Sequence, residues 1–283
     1  MLLILLIASA LAETITEIIN SNPSSTWVAI DYPQSVMDKI RFRQTRSTIL
    51  PRRTINSYRL NDVPDEFDSR TRWPDMISGV RDQGKCGASE AFSVADVIGD
   101  RLGVLGCSLG QLSPEDIVSC SQKDGCGGQF VDKVWNYAKK TGIATEECIP
   151  YEAGEGIEPQ CPVRCKNGSD ILRAKVKSFK FVNPDLVDQE IFKNGPATTE
   201  IQVYEDFLQY KSGIYKHQSG GLLGFLDAVL IGWGNEDEVP YWIVQASWGT
   251  NWGENGYFRI LRGEDHCFVE SYVIAGIPKC TKE

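Results

Sequence analysis

The chain has 283 residues, a formal net charge of −9 at pH 7 and a pI near 4.9. Its length and its hydrophobic fraction of 42% are ordinary for a globular protein of enzyme size, with room for two halves. The acidic balance argues against nucleic-acid binding, which needs a basic face.

The first twelve residues form an apolar run that ends in Ala10-Leu11-Ala12. The run is too short to span a bilayer, and it ends in the small-residue pattern of a secretory cleavage site, although a basic start is missing. A buried N-terminal element is the alternative. We predict a signal peptide over residues 1–12 and a secretory route to the extracellular space, lysosome or vacuole. No later apolar run is long enough for a membrane span.

Residues 13–62 differ from the rest of the chain. They contain no Cys and one Trp, Trp27, and they carry a basic stretch. In a secreted chain, a basic segment before a Cys-rich body suggests a pro-segment, and a plain N-terminal extension is the alternative. This basic stretch holds Lys39, Arg41, Arg43, Arg46, Arg52 and Arg53.

A helix is predicted to begin near Ser89, where a Gly-rich turn gives way to apolar residues at helical spacing. Phe92, Ala95, Ile98 and Leu102 supply that spacing. A helix start favours negative charge, and it lowers the pKa of a thiol placed there. Here the residue is Ser89, which we interpret as a helix cap.

Further helices and then strands follow along the chain. Ser113 and Pro114 resemble a cap and first helical position, and an amphipathic pattern over residues 130–138 predicts another helix, stopped by Gly142. Helices first and strands later indicate an α+β protein in two halves. The predicted strands cover residues 174–181, 197–203, 228–233, 241–247 and 256–261.

Residues 83–92, Q-G-K-C-G-A-S-E-A-F, resemble the active-site segment Q-G-x-C-G-S-C-W-A-F of papain-family cysteine peptidases. Residues 63–70 resemble the start of the mature enzymes, and Trp73-Pro74 resembles the cathepsin B branch. The resemblance implies a peptidase domain over residues 63–283. It would have a helical lobe over about 63–170 and a β-barrel lobe over about 171–275, facing each other across a cleft. Ser25-Thr26-Trp27 resembles the short cathepsin B-like propeptide, which would lie through the cleft.

The family's catalytic side chains are mostly replaced. Ser89 stands for the nucleophilic Cys, and Ala246 stands for the Asn that orients the imidazole. The imidazole position holds Asp227 if the Ala-Val after it is matched, or Leu226 if residues are counted back from Gly232. Neither is His, and an Asp of ordinary pKa is a poor base for a hydroxyl. Of the catalytic side chains, the resemblance implies that the oxyanion donor Gln83 alone is retained.

The other candidate side chains are the two His residues and Glu90. His217 and His266, the only two His, lie in stretches that resemble non-catalytic parts of the family. We interpret both as structural or solvated. Glu90 stands where active relatives carry Trp, and we expect its carboxylate to reach solvent or a cation.

The resemblance also implies peptide-binding positions. Trp248 is retained in A-S-W-G, and Tyr272 stands at the implied floor of the main specificity pocket, which would then prefer apolar side chains. The family's G-C-x-G-G appears as G-C-G-G-Q, which includes Gly127, Gly128 and Gln129. The long covering loop of cathepsin B is missing, because nine residues, 152–160, separate Tyr151 from Cys161. Any ancestral activity would then be endopeptidase-like.

Nine Cys in a secreted chain predict disulfides with at least one Cys left over, and the spacing and the two His argue against zinc. We expect no metal and no cofactor. The resemblance implies three pairs and leaves Cys107, Cys267 and Cys280 open. The implied pairs are Cys86–Cys126, Cys120–Cys161 and Cys148–Cys165.

The sequence favours a catalytically inactive papain-fold protein that binds a peptide or protein in its cleft, with its own pro-segment as one candidate ligand. A residual peptidase that uses Ser89 with Asp227 is the first alternative. A serine hydrolase of the G-x-S-x-G type is the second, although its nucleophile must follow a strand and needs a His. Asn167-Gly168-Ser169 fits an N-glycosylation motif.

Overall fold

A computed structural model describes residues 13–44, 63–122 and 124–280. The predicted signal peptide and the basic residues Arg46, Arg52 and Arg53 lie outside these ranges. Within them, no helix combines the length and apolar character that a membrane span needs.

The described residues form seven α-helices and nine strands, together with short 3₁₀ turns. The helices are α1 (Ile15–Ser21), α2 (Gln34–Met37), α3 (Ser69–Arg72), α4 (Ser89–Val104), α5 (Pro114–Cys120), α6 (Val131–Lys140) and α7 (Val187–Asn194). The strands are β1 (Trp27–Ala29), β2 (Phe67–Asp68), β3 (Val176–Phe181), β4 (Ala197–Tyr204), β5 (Tyr210–Tyr215), β6 (Leu222–Glu236), β7 (Val239–Gln245), β8 (Tyr257–Leu261) and β9 (Val273–Pro278).

The nine strands form one sheet in the order β1-β5-β8-β7-β6-β4-β9-β3, with β2 added against β6. All pairs are antiparallel except β5 with β8. The central strand β6 contacts both β4 and β7 and also packs against α4. The start of α4 therefore lies against the middle of the sheet.

Two hydrophobic cores lie on either side of β6. One contains the inward faces of α4, α5 and α6, with Phe92 and Trp135 among its largest side chains. The other is an aromatic core of the β half, in which Phe207 contacts Trp252 edge-on. The two-lobe α+β architecture predicted from the sequence is confirmed.

Some elements differ from the sequence prediction. The predicted helix at Ser89 and the strands near 176, 197 and 257 are present, but β6 is much longer than the expected 228–233. The prediction missed α7, β5 and β9. Glycines interrupt the strand pattern of β5 and β9, at Gly213 and Gly276.

The N-terminal segment, defined here as residues 13–44, is packed into the β half rather than lying on its surface. Strand β1 pairs with β5, and the fully buried Ile19 of α1 joins the aromatic core. Trp27 stacks edge-on against Tyr215 and donates its indole N–H to the Lys216 carbonyl at 2.9 Å. The segment then continues towards the junction of α4 and β6.

Candidate ligand-binding cleft

The residue at the implied nucleophile position is buried at the start of α4. Ser89 is 2% exposed, and its Oγ accepts a hydrogen bond from the backbone N–H of Asp227 at 3.2 Å. Ala88 takes the N-cap position, and no side chain caps the helix. The prediction that Ser89 caps the helix is therefore wrong, because its hydroxyl is bonded to β6 instead.

Asp227 and Leu226, the two candidates for the implied imidazole position, both lie on β6, which carries a bulge further along the strand. Leu230 pairs with Val244 and Gly232 pairs with Ile243, so Ile231 is an extra residue in the ladder. This bulge lies between Asp227 and Gly232, the interval over which the sequence count is ambiguous. Asp227 lies beside Ser89, whereas Leu226 is fully buried in the aromatic core.

The position of the implied orienting residue offers no side-chain hydrogen bond. Ala246 is 2% exposed, and its backbone N–H donates to the Gly256 carbonyl at 3.0 Å. A methyl group fills the space next to the end of β7.

The two His side chains belong to a different cluster. His217 Nδ1 lies 3.0 Å from Asp206 Oδ1, and its ring stacks on Tyr204 with 3.8 Å between centroids. His266 Nε2 accepts the backbone N–H of His217 at 2.9 Å, and burial lowers the His266 pKa. In the described part of the chain, neither imidazole is hydrogen-bonded to Ser89.

The N-terminal segment occupies the implied oxyanion hole with its backbone. The carbonyl of Arg41 accepts one bond from Gln83 Nε2 and one from Trp248 Nε1, both at 3.1 Å. Gln83 also donates to the Cys86 carbonyl and accepts from the Ser247 hydroxyl. Two of the predicted binding residues, Gln83 and Trp248, therefore contact the chain's own segment.

Two residues further on, the segment pairs with β6 as a short antiparallel bridge. Arg43 N–H donates to the Phe225 carbonyl at 2.9 Å, and Phe225 N–H donates back at 2.8 Å. A Cβ at Gly224 would collide with the Arg43 carbonyl and the Phe42 ring. Glycine at this position is what allows the two backbones to approach each other.

The Arg43 side chain enters a buried cluster of carboxylates. Its Nη1 donates to Asp227 Oδ2 at 2.9 Å and to the Gln129 carbonyl at 2.8 Å, and its Nη2 donates to Glu200. The Phe130 ring lies under the guanidinium, 5.0 Å from centroid to Cζ. Glu200 and Asp227 face each other directly on β4 and β6. Arg43 is thus the cation between them.

Glu90 is the third carboxylate of the cluster and is fully buried. Its Oε1 accepts the Gln129 N–H at 3.1 Å. Of the two environments expected for this carboxylate, solvent and a cation, solvent is ruled out by its burial, and the cation whose charge acts on it is Arg43. Burial raises the pKa of Glu90 to about 8, with a further increase from the charge of Asp227. Burial also raises the pKa of Asp227 to about 7, although Arg43 acts to lower it.

Arg43 keeps its charge inside this cluster. Burial lowers its pKa, but the charges of Asp227, Glu200 and Glu90 outweigh burial and raise the pKa above its ordinary value. Asp132, on α6, adds negative charge near Asp227.

The Gly-rich turn borders the cluster. Gln129 donates its side-chain amide to the Ser121 hydroxyl at 2.6 Å and presents its carbonyl to Arg43. Gly128 has φ +79°, and a Cβ there would approach the Arg43 Cβ at 3.5 Å. Gly127 N–H donates to Asp124 and lies at the exposed side of the turn. Of this turn, Gln129 is thus the residue that bonds the segment.

Tyr272 is 2% exposed and packs edge-on against Phe181, with 5.2 Å between centroids. Little of its surface is open to a ligand in this structure, and its place at the floor of an apolar or aromatic specificity pocket stays a prediction. Its carbonyl accepts the backbone N–H of Glu200 at 3.3 Å, which joins the tyrosine to the strand that carries the carboxylate.

Comparison with known proteins identifies the family. The sequence profile described as papain family cysteine protease matches residues 63–277. The chain belongs to this family. It is 38% identical to Cathepsin B-like CP3 of Giardia intestinalis over 255 residues, which cover 87% of this chain and 84% of the relative. It is 34% identical to a Cathepsin B-like cysteine proteinase of Schistosoma japonicum, over 95% of this chain and 91% of the relative.

Solved structures agree with this assignment. The structure of proCathepsin B S9 from Trypanosoma congolense matches with a TM-score of 0.82 and 29% identity, over 95% of this chain and 99% of that chain. Digestive procathepsin L2 of Tenebrio molitor shares the fold, with a TM-score of 0.72 and 22% identity over 89% and 84% of the two chains. The chain is thus a cathepsin B-like member of the papain family.

The described residues of this papain-family chain contain four disulfides. Three are the pairs that the resemblance implied, Cys86–Cys126, Cys120–Cys161 and Cys148–Cys165. The fourth joins Cys107 to Cys280, and Cys267 is free and buried. Cys86–Cys126 links the turn before Ser89 to the Gly-rich turn, so it holds two walls of the cleft together.

Two members of this buried charge cluster, Arg43 and Glu200, were not predicted from the sequence. Arg43 was noted only as one of six basic residues, and Glu200 was not noted at all. A signal was available for Glu200, because a lone Glu interrupts the otherwise uncharged run from Ala197 to Tyr204.

No group of side chains suited to a metal ion occurs in the described residues. The predicted glycan acceptor Asn167 is exposed, and its side chain accepts the Ser169 N–H at 3.0 Å.

Proposed function

We propose that this cathepsin B-like protein does not hydrolyse peptides and acts instead by binding a peptide strand in its cleft. The observation that carries the proposal is the pairing of Ser89 with the backbone N–H of Asp227, with no imidazole bonded to it in the described residues. A serine hydroxyl needs a general base in contact to act as a nucleophile. The replacement of His by Asp227 and of Asn by Ala246 removes that base and the group that would orient it.

The cleft nevertheless retains what is needed to hold an extended chain. Gln83 and Trp248 each donate to one carbonyl of the N-terminal segment, and β6 pairs with its backbone. These interactions do not depend on a nucleophile. Binding is therefore compatible with loss of the chemistry.

The proposal also covers the secretion and maturation of the protein. We propose that residues 1–12 direct the chain to the secretory pathway, for an extracellular, lysosomal or vacuolar location, and that residues 13–62 are a pro-segment of the 63–283 domain. An inactive protein cannot remove its own pro-segment. The segment then stays in the cleft unless another protease cuts it, and Asn167 is available for glycosylation during secretion.

A weak peptidase is the second candidate, since burial raises the pKa of Asp227 to about 7, a value suited to a general base. Two points disfavour it. The Ser89 hydroxyl is bonded to the backbone of Asp227 rather than to its carboxylate. The Asp227 carboxylate itself accepts from Arg43 of the N-terminal segment, so it is engaged by that cation and not by the Ser89 hydroxyl.

Peptide hydrolysis by purified protein tests the proposal. The full chain, and the same chain cut within residues 45–62, are incubated with a broad peptide library, and products are followed by mass spectrometry. Ser89→Ala and Ser89→Cys are measured beside them, with an active papain-family peptidase as positive control. We expect no cleavage by any form. Cleavage by the unaltered protein that disappears in Ser89→Ala contradicts the proposal and supports the weak peptidase.

A further inference from the structure

We infer that Glu90, Glu200 and Asp227 form a guanidinium-binding site in place of the catalytic centre, and that its ligands are extended peptides that carry arginine. Arg43 of the N-terminal segment is then the built-in ligand. The inference rests on the proposed function, because a peptide stays bound in the cleft only if the protein does not hydrolyse it.

The site is built for a cation. Its three carboxylates are at most 2% exposed and come from three different elements, α4, β4 and β6. Two carboxylate oxygens, Glu90 Oε2 and Asp227 Oδ1, are buried without a hydrogen-bond partner among the described residues. The cluster thus offers more acceptor capacity than the observed contacts use.

The geometry suits arginine better than lysine. One nitrogen of Arg43 spans Asp227 Oδ2 and the Gln129 carbonyl, while the other reaches Glu200 on the opposite strand. A planar guanidinium can reach acceptors on both sides of the cleft and stack on the Phe130 ring at the same time. A lysine ammonium is a compact charge and cannot bridge the two strands in this way.

The backbone contacts determine which side chain of a bound peptide enters the carboxylate cluster. The Arg41 carbonyl is held by Gln83 and Trp248, and the Arg43 backbone pairs with Phe225. The side chain two residues after the held carbonyl therefore enters the carboxylate cluster. Arg41 itself is exposed and donates to the Ile40 carbonyl, so it serves as a matched control for its neighbour.

The first test measures how fast the segment leaves. A specific protease site is placed within residues 45–62, the chain is cut, and dissociation of the fluorescently labelled segment is followed by anisotropy after dilution. Because removing one partner of a buried ion pair is strongly unfavourable, we expect Arg43→Met to speed dissociation about 100-fold or more, and Arg43→Lys about tenfold. Arg41→Met should stay within about threefold of the unaltered protein. Equal rates for Arg43→Met and the unaltered segment overturn the inference.

The second test uses synthetic peptides of residues 34–44 to measure which side chain at position 43 the cleft binds most tightly. They carry arginine, lysine or neutral citrulline at position 43, or citrulline at position 41 as control, and they compete for the cut protein. We expect the citrulline-43 peptide to bind about 100-fold more weakly than the arginine peptide, and the citrulline-41 peptide to bind within about threefold. In the double variant Asp227→Asn with Glu200→Gln, the preference for arginine should fall to about threefold or less.

The two proposals fail in different ways. Cleavage of the peptide, seen by mass spectrometry in the same samples, refutes the non-hydrolysing function and leaves the ratio of arginine to citrulline binding unchanged. Equal binding of intact arginine and citrulline peptides, or a preference that survives the double variant, refutes the guanidinium site alone.

Discussion

Replacing Arg43 by methionine in the uncut chain should reveal the buried charge cluster as a loss of stability. Arg43 is 4% exposed and donates to Asp227, Glu200 and the Gln129 carbonyl. Methionine retains most of the aliphatic stem, so the main change is loss of the charge. Breaking a buried ion pair from one side costs about 3–5 kcal/mol, because the remaining charges are left uncompensated. We expect a loss of that size in the free energy of unfolding at pH 7.

The loss should depend on pH, because a stranded carboxylate can avoid its penalty by taking up a proton. For a carboxyl whose ordinary pKa is near 4, protonation costs about 4 kcal/mol at pH 7 and about 1.5 kcal/mol at pH 5. At pH 5, Asp227 is already largely protonated with Arg43 present, since burial raises its pKa to about 7, so the penalty that remains there is that of the Glu200 carboxylate, the other partner of Arg43. The effect of Arg43→Met should therefore shrink to about 1–2 kcal/mol at pH 5.

Urea unfolding of the disulfide-bonded chain at the two pH values measures this difference. Arg41→Met is the matched control, because Arg41 lies two residues away and is exposed, and it should change stability by less than about 0.5 kcal/mol. A cost below about 1 kcal/mol for Arg43→Met at pH 7, or an equal cost at pH 5 and pH 7, would refute the reasoning.

Three further predictions concern neighbouring groups. Burial raises the Glu90 pKa to about 8, so the folded state loses stability as pH rises from about 4.5 to 8. The variant Glu90→Gln should therefore be more stable than the unaltered protein by about 2 kcal/mol at pH 8, but not at pH 4. Thermal unfolding at both pH values measures this difference. Arg43 donates to the Asp227 carboxylate and its charge acts to lower the Asp227 pKa, so protonation of Asp227 should weaken this contact and the cut segment should leave faster at pH 5.5 than at pH 8; Asp227→Asn should weaken this dependence in the anisotropy assay. Removing the disulfide with Cys86→Ala and Cys126→Ala should cost about 2–5 kcal/mol in urea unfolding, and an unchanged midpoint contradicts its structural role.

Much of the fold followed from local sequence pattern. The helical spacing from Phe92 to Leu102 and the β-branched run from Ala197 to Val203 are short-range signals, and the structure contains both elements. The strands β5 and β9 could not be predicted in this way, because glycine interrupts them and their partners are distant in sequence. The bulge at Ile231 is also a tertiary feature, since it is defined by the register of two strands.

The site could be predicted position by position but not as a unit. The family motif located Ser89, Asp227 and Ala246, and each looked like a loss. The buried charge cluster depends on residues 43, 90, 200 and 227 meeting in space, and no spacing in the sequence indicates that meeting. Glu90 is expected to reach solvent or a cation because a buried unpaired carboxylate is costly. The structure instead keeps it buried, near Arg43 and with a raised pKa.

The substitutions at the cleft are best understood together. Asp227 and Glu200 stand directly opposite each other on adjacent strands, an arrangement that is unfavourable for two like charges. Arg43 lies between them, and its backbone is fixed by β6 and by the donors that bind Arg41. The carboxylates thus depend on the segment for their counter-charge, and the segment depends on the carboxylates for its anchor. Such mutual dependence makes residues 13–44 part of the folded unit, and it opposes the release that an enzyme precursor requires.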